Sequence, residues 1–84
     1  MKNAKWWKIA SSNYGHHECL RIEGPRGSIL AAHVGQYCDD DKFQVSVRGT
    51  LVDLFDTKRN FNNIENCKSY VENQINKWFK RNVG

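Results

Sequence analysis

Alternating apolar and polar residues occupy the first two thirds of the chain and predict β-strands. Between Glu18 and Glu23, Leu20 and Ile22 share one face, while Cys19 and Arg21 lie on the other. This period of two is typical of a half-buried strand. The segment from Trp6 to Ser11 carries aromatic and β-branched residues and is followed by turn formers, so it is also predicted to be a strand.

The segment Gly24-Pro25-Arg26-Gly27 is the clearest turn signal. Pro, with φ of about −65°, suits the second position of a β-turn, and Gly suits the fourth. The next strand, Ser28 to Tyr37, should therefore return antiparallel. Its alternation places one apolar set on each face: Leu30, Ala32 and Val34 on one, and Ile29, Ala31 and His33 on the other. Two apolar faces are typical of a strand near the centre of a sheet, and they leave its register ambiguous.

A fourth alternating segment begins at Phe43. Its apolar positions are Phe43, Val45 and Val47, and its polar positions, which we expect to face water, are Gln44, Ser46 and Arg48. Gly49 marks either a turn, which we favour, or a bulge. The segment from Leu51 to Phe55 is then predicted to be the last extended one.

From Asn62 onward the period lengthens to that of a helix. Apolar side chains recur at spacings of three, four and seven residues, and we expect all of them to form the core face: Ile64, Cys67, Val71, Ile75, Trp78 and Phe79, with Tyr70 beside them. Asn62 is the predicted N-cap, and Glu65 would complete its capping box. The pattern predicts one α+β domain over residues 1–84, in which a C-terminal helix covers one face of a four- to five-stranded antiparallel sheet.

Composition supports a single folded domain. The chain has 84 residues, 39% of them hydrophobic, and it includes three Trp, three Tyr and four Phe. Chains of this length build one core, and large aromatic side chains argue against disorder. So small a core leaves little room for a deep active site, and no nucleophile motif surrounds His17 and Cys19. We therefore expect no enzymatic activity, no cofactor and no small-molecule substrate.

The three cysteines, Cys19, Cys38 and Cys67, form no Cys-x-x-Cys pair. An odd count without close pairing favours a reducing compartment over a disulfide-stapled secreted scaffold. The chain also contains no apolar run of signal-peptide length or of the roughly 18 residues that a membrane helix needs. A cytoplasmic protein without membrane contact is the expectation.

Soft metal ligands are numerous: His16, His17, Cys19, His33 and Cys38. Small zinc modules use two closely spaced ligand pairs, and here only His17 and Cys19 form such a pair. Surface histidines and buried thiols are the favoured interpretation, and no metal is expected. The acidic run from Asp39 to Asp41 lacks the glycine and distant glutamate of a calcium loop, so a solvated loop is favoured there.

Net charge is +4, from 13 basic and 9 acidic residues. Five basic residues could gather at one end of the domain and neutralise phosphates: Lys58, Arg59, Lys77, Lys80 and Arg81. Trp6, Trp7, Tyr14 and Tyr37 could stack on bases if exposed. Carboxylates are interleaved with the basic residues on the strands, and no known nucleic-acid-binding signature is present. Nucleic-acid binding is therefore kept as the alternative function.

The adjacent pair Trp6 and Trp7 favours a different function. Neighbouring strand residues point to opposite faces, so only one of the two can lie under the helix. The other is exposed or covered by a partner, and large exposed aromatics commonly anchor interfaces. We expect a non-enzymatic protein-binding module, or a homodimer, that uses the free sheet face and edges. The candidate partner-binding residues are Trp6, Trp7, Arg21, Gln44 and Arg48.

In length, basic charge, reduced cysteines and a sheet closed by one helix, the chain resembles the small accessory proteins of phages and prophages. Some of those proteins block host defence or transcription machinery by covering a surface. The resemblance implies that a phage or mobile-element product of this kind regulates or inhibits a host protein stoichiometrically, without chemistry. It assigns no individual residue.

Overall fold

The computed structural model describes residues 3–9, 16–36 and 42–82. Its elements are β1 (Ala4–Lys8), β2 (His17–Gly24), β3 (Gly27–Gln36), β4 (Phe43–Val45), a short 3-10 helix (Val52–Leu54) and α1 (Ile64–Asn82). The strands form one antiparallel sheet in the order β1-β2-β3-β4. Helix α1 packs against β3 and β4. The predicted α+β class, with one C-terminal helix on one sheet face, is confirmed, and the sheet has four strands.

The hairpin between β2 and β3 follows the predicted turn. Gly24 pairs with Gly27, and Pro25 and Arg26 form the tip. Gly27 has φ 117°, a backbone conformation that residues with a Cβ rarely adopt. The glycine at this position therefore fixes the point at which β3 begins.

A β-bulge changes the register of β3. Leu20 pairs with Ala32, whereas Arg21 pairs with Leu30, so Ala31 is the extra residue. Leu30 consequently lies on the face opposite to Ala32 and Val34, and the predicted shared face of these three residues is wrong. A strict period of two in the sequence does not predict an extra residue such as Ala31.

Strand β4 ends at Val45, so the predicted alternation beyond it is wrong. Ser46 is buried and its N–H donates to His33 O over 2.7 Å, whereas Val47 is 74% exposed. Gly49 lies in the following turn, and the chain then makes a 3-10 helix over Val52–Leu54 in place of the predicted fifth strand. Thr50 and Leu51 donate their N–H groups to Leu30 O and Ala31 O over 2.8 and 3.2 Å, so this segment is bonded to β3 at the bulge without forming the predicted strand.

The apolar stripe of α1 enters the core as far as Ile75. Ile64, Cys67, Val71 and Ile75 are buried, and every residue from Asn76 to Arg81 is exposed. The last turns of the helix therefore extend past the sheet. The prediction that Trp78 and Phe79 belong to the core is wrong, since these residues are 36% and 41% exposed.

The N-cap of α1 is one residue later than predicted. Asn63 Oδ1 accepts a hydrogen bond from the Asn66 N–H over 2.8 Å, which is the geometry of a capping side chain. Asn62 Oδ1 instead accepts from Lys42 Nζ over 2.6 Å. Glu65 consequently does not complete a capping box with Asn62.

Candidate functional site

The two tryptophans of β1 lie on opposite faces of the sheet. Trp6 is half-buried on the helix face, where its indole N–H donates to Glu72 Oε1 over 3.1 Å. Trp7 is 45% exposed on the other face, opposite Cys19 in the register. Trp7 is therefore the tryptophan available to a partner.

The face opposite the helix is hereafter called the far face. By strand register it carries eleven described residues: Lys5, Trp7, His17, Cys19, Arg21, Glu23, Ser28, Leu30, His33, Gly35 and Gln44. Its β1 side is exposed and basic, because Lys5 pairs with Arg21 and both side chains are exposed. Lys5 Nζ also lies 4.6 Å from the centroid of the Trp7 ring, a cation-π distance that holds the indole against the strand.

The predicted partner-binding residues do not form one surface. Trp7 and Arg21 lie on β1 and β2 and Gln44 lies on the β4 edge, whereas Arg48, in the turn after β4, lies close enough to His33 on β3 to lower its pKa. Three strand spacings, about 14 Å, separate the two edges. Gln44 lies on the face away from the helix, is half-buried, and its Nε2 donates to Asn60 Oδ1 over 2.6 Å.

The middle of the far face is buried. His17 and His33 stack with ring centroids 5.3 Å apart, and Cys19 pairs with His33 in the register. All three are buried. Gly35 makes room for this stack, because a Cβ at this position would overlap the atoms of the His17 ring.

His33 is held in its neutral form. Burial lowers the pKa of its imidazole, and the nearby positive charges of His17 and Arg48 lower it further. Within the described part of the chain, neither ring nitrogen of His33 has a hydrogen-bond partner. A protonated His33 would therefore be both desolvated and close to like charge.

The candidate metal ligands are divided between the two faces. His16 Nε2 lies 2.8 Å from Glu18 Oε2 on the helix face, whereas His17, Cys19 and His33 lie on the far face. Among residues 3–9, 16–36 and 42–82, no group of three or more His, Cys, Asp or Glu could hold a metal ion. Several residues named from the sequence lie outside the described ranges: Ser11, Tyr14, Tyr37, Cys38 and Asp39 to Asp41.

An ionic cluster connects β2 to the helix. Lys68 Nζ lies 3.0 Å from Glu18 Oε1 and 5.1 Å from the centroid of the Trp6 ring. Burial is the largest influence on Glu18 and opposes its ionisation, but the hydrogen bonds and charges of Lys68 and His16 outweigh it and hold the pKa below its usual value. Sequence patterning missed this cluster because Glu18 occupies an inward position that the period assigns to an apolar residue.

A concave surface lies between α1 and the segment that precedes it. It has a volume of about 410 Å³ and is hereafter called the helix groove; its lining residues are Arg59, Phe61, Asn66, Ser69, Tyr70, Asn73, Gln74 and Lys77. Of the five basic residues predicted to gather, Arg59 and Lys77 line this groove, and Lys80 and Arg81 follow on the last turn of α1. Lys58, the residue before Arg59, is exposed, and its backbone N–H donates to Asp56 Oδ1 over 3.0 Å.

The thiol of Cys67 is fully buried under α1. Burial raises the pKa of Cys67 to about 12, so this thiol stays protonated at neutral pH. It acts as a small apolar side chain of the core.

Comparison with known proteins found no match to a protein family, a curated protein or a solved structure. Among the described residues, no helix combines the length and apolar character needed to cross a membrane.

Proposed function

We propose that this protein is a non-enzymatic protein-binding module that takes an extended, acidic segment of its partner onto the free edge of β1. The observation that carries the proposal is Trp7, a large aromatic side chain that is 45% exposed on an edge strand. Exposed tryptophans on rigid elements are frequent interface anchors. The blocking of a host protein by a phage or mobile-element product stays a prediction.

The backbone of β1 supports strand addition. Ile9 N–H donates to His17 O over 3.0 Å, and Glu23 N–H donates to Asn3 O over 2.8 Å. Because hydrogen-bonded pairs alternate along an antiparallel ladder, the N–H and C=O groups of Ala4, Trp6 and Lys8 point away from β2. These outward groups can pair with a partner strand.

Charge on and beside β1 selects the partner. The exposed side chains next to Trp7 include Lys5 and Arg21, and Lys8 lies at the end of the strand. A second copy would bring lysines on two β1 strands together, which is unfavourable for directly opposed residues. An acidic partner segment places carboxylates against the same cations and favours docking.

The experiment compares affinity capture by the wild-type protein and by two variants at Lys8, from lysate of the source cells with and without nuclease treatment. Lys8→Pro removes an outward N–H without breaking a bond to β2, and it blocks strand addition. Lys8→Gln is the matched control, because it removes the same charge and keeps the N–H. We expect a partner that is retained by Lys8→Gln and lost by Lys8→Pro.

Trp7→Ala supplies the second arm, with Trp78→Ala as its control, because it makes the same substitution on α1 rather than on β1. We expect Trp7→Ala to weaken capture by about 2 kcal/mol or more, while Trp78→Ala leaves capture unchanged. Recovery that does not depend on Trp7 or on the Lys8 N–H would overturn the proposal. So would recovery that disappears on nuclease treatment, or a concentration-dependent dimer abolished by Trp7→Ala with no other partner.

A further inference from the structure

We infer that the helix groove binds the phosphate backbone of a single-stranded nucleic acid. This surface is separate from the β1 edge, because Trp6 contacts α1 through Lys68 and Glu72, and neither of these lines the groove. The inference rests on a fixed arginine, a row of neutral donors and a line of cations.

Arg59 is held in place by two aromatic rings. Its Cζ lies 5.1 Å from the ring centroid of Phe61 and 5.1 Å from that of Tyr70. Tyr70 is fixed in turn, since its hydroxyl oxygen accepts the Asp56 N–H over 2.7 Å. A guanidinium stacked in this way loses little further freedom on binding, and its planar donors fit two phosphate oxygens at once.

The floor of the groove is one side of α1. Asn66, Tyr70, Asn73 and Lys77 are spaced by three or four residues and therefore share a helical stripe. Side-chain amides and hydroxyls are typical contacts of phosphate and sugar groups. None of the residues that line the groove carries a carboxylate, so the surface presents donors and positive charge to an anion.

The cations continue past the groove. Lys80 and Arg81 are exposed in the last turn of α1, and Arg81 lies about 16 Å along the helix axis from Tyr70. The helix C-terminus carries only about half a negative charge, which the three cations from Lys77 onward outweigh. A free phosphate would occupy one end of this track, whereas a strand with several phosphates spans it.

Exposed aromatic side chains flank the same helix end. Trp78 lies three residues from Arg81 and is its neighbour on the helix surface, and its ring centroid lies 5.2 Å from that of Phe79, which projects from the side of α1 opposite the groove. Bases of a single strand stack on such rings without regard to sequence. A partner with both phosphates and bases therefore fits this region better than an acidic polypeptide.

The test measures fluorescence anisotropy of a labelled oligouridine of about 12 nucleotides at about 50 mM and about 200 mM salt. We expect Lys77→Ala to weaken binding by about fivefold or more and to lower the salt slope by about 0.7. Arg26→Ala, on the distant hairpin, is the matched control because it makes the same change in net charge. It should alter binding by less than about twofold.

A second variant guards against a loss of folding. Asn73→Asp places a carboxylate on the exposed floor of the groove, and its thermal unfolding is compared with that of the wild type. It should weaken binding of oligouridine without unfolding the protein. The inference is overturned by no binding at the lower salt concentration, by equal losses for Lys77→Ala and Arg26→Ala, or by polyglutamate that competes as well as unlabelled oligouridine. None of these outcomes tests the proposed protein partner at the β1 edge, so the two proposals can fail independently.

Discussion

The indole N–H of Trp6 donates a hydrogen bond to Glu72 Oε1 over 3.1 Å and so joins the edge strand β1 to α1. Among the described strands, β1 pairs only with β2, so this contact is a second point of attachment for it. Because adjacent strand residues alternate between faces, turning Trp6 toward the helix places Trp7 on the far face. The proposed anchor is thus positioned by a hydrogen bond made by its neighbour.

The coupling between Trp6 and Glu72 should be measurable in a double-mutant cycle. Trp6→Phe removes the donor and Glu72→Ala removes the acceptor, and we expect a coupling of about 0.5–1.5 kcal/mol in the free energy of unfolding by urea. Trp7→Phe combined with Glu72→Ala is the control, and these two effects should add. Additive effects of Trp6→Phe and Glu72→Ala would contradict the contact.

The ion pair of Lys68 with Glu18 should make stability depend on pH in the acidic range. Glu18 has a lowered pKa in the folded protein, so its contribution is fully present above the unfolded carboxyl pKa of about 4.3 and is lost as pH falls through the folded pKa. Lys68→Met should cost about 1.5–3 kcal/mol at neutral pH and less in acid. Urea unfolding at both pH values measures this difference.

Lys58→Met is the matched control for that comparison. Lys58 is exposed, and the bond described for it is made by its backbone N–H. Loss of the Lys58 ammonium group should therefore change the free energy of unfolding by no more than about 0.5 kcal/mol. A cost for Lys68→Met that is the same at neutral and acidic pH would show that packing on Trp6, rather than the charge pair, explains the effect.

The elements that local periodicity determines were predictable from the sequence. The alternation around Leu20 and Ile22 identifies β2, and the three- and four-residue spacing from Ile64 to Ile75 identifies the buried face of α1. The glycines of the hairpin fix the β2–β3 connection. Patterns of this kind succeed where a residue's environment is set by its own element.

Features that depend on distant segments were not predictable. The bulge at Ala31 accompanies the close approach of Gly49, and the end of the α1 core face depends on how far the sheet reaches under the helix. For the candidate sites, alternation indicates that one tryptophan of the pair is exposed, but the packing of α1 and the core against one face decides which one. The stacking of Arg59 on Phe61 and Tyr70 has no signature in sequence spacing.

The contact at Gly49 predicts a severe effect of a single methyl group. A Cβ added to Gly49 would meet the backbone of β3 at Ala31 and Ala32, which cannot move without disturbing the sheet. We expect Gly49→Ala to destabilise the protein by about 1–3 kcal/mol or more. Gly24→Ala is the control, because its Cβ would lie 3.6 Å from Gly27 O, an ordinary contact distance. Equal urea midpoints for the two variants would contradict the close approach.

The buried imidazole of His33 should titrate below its ordinary value of about 6.5, because burial and the charges of His17 and Arg48 lower its pKa. Its contribution to stability is then complete above the unfolded pKa and is lost as pH falls toward the folded pKa. NMR titration of the ring nitrogens measures the midpoint directly. Arg48→Gln should raise the midpoint by removing a nearby positive charge, whereas Arg26→Gln, on the hairpin tip, should not. A wild-type midpoint at or above the ordinary value would show that His33 is open to solvent.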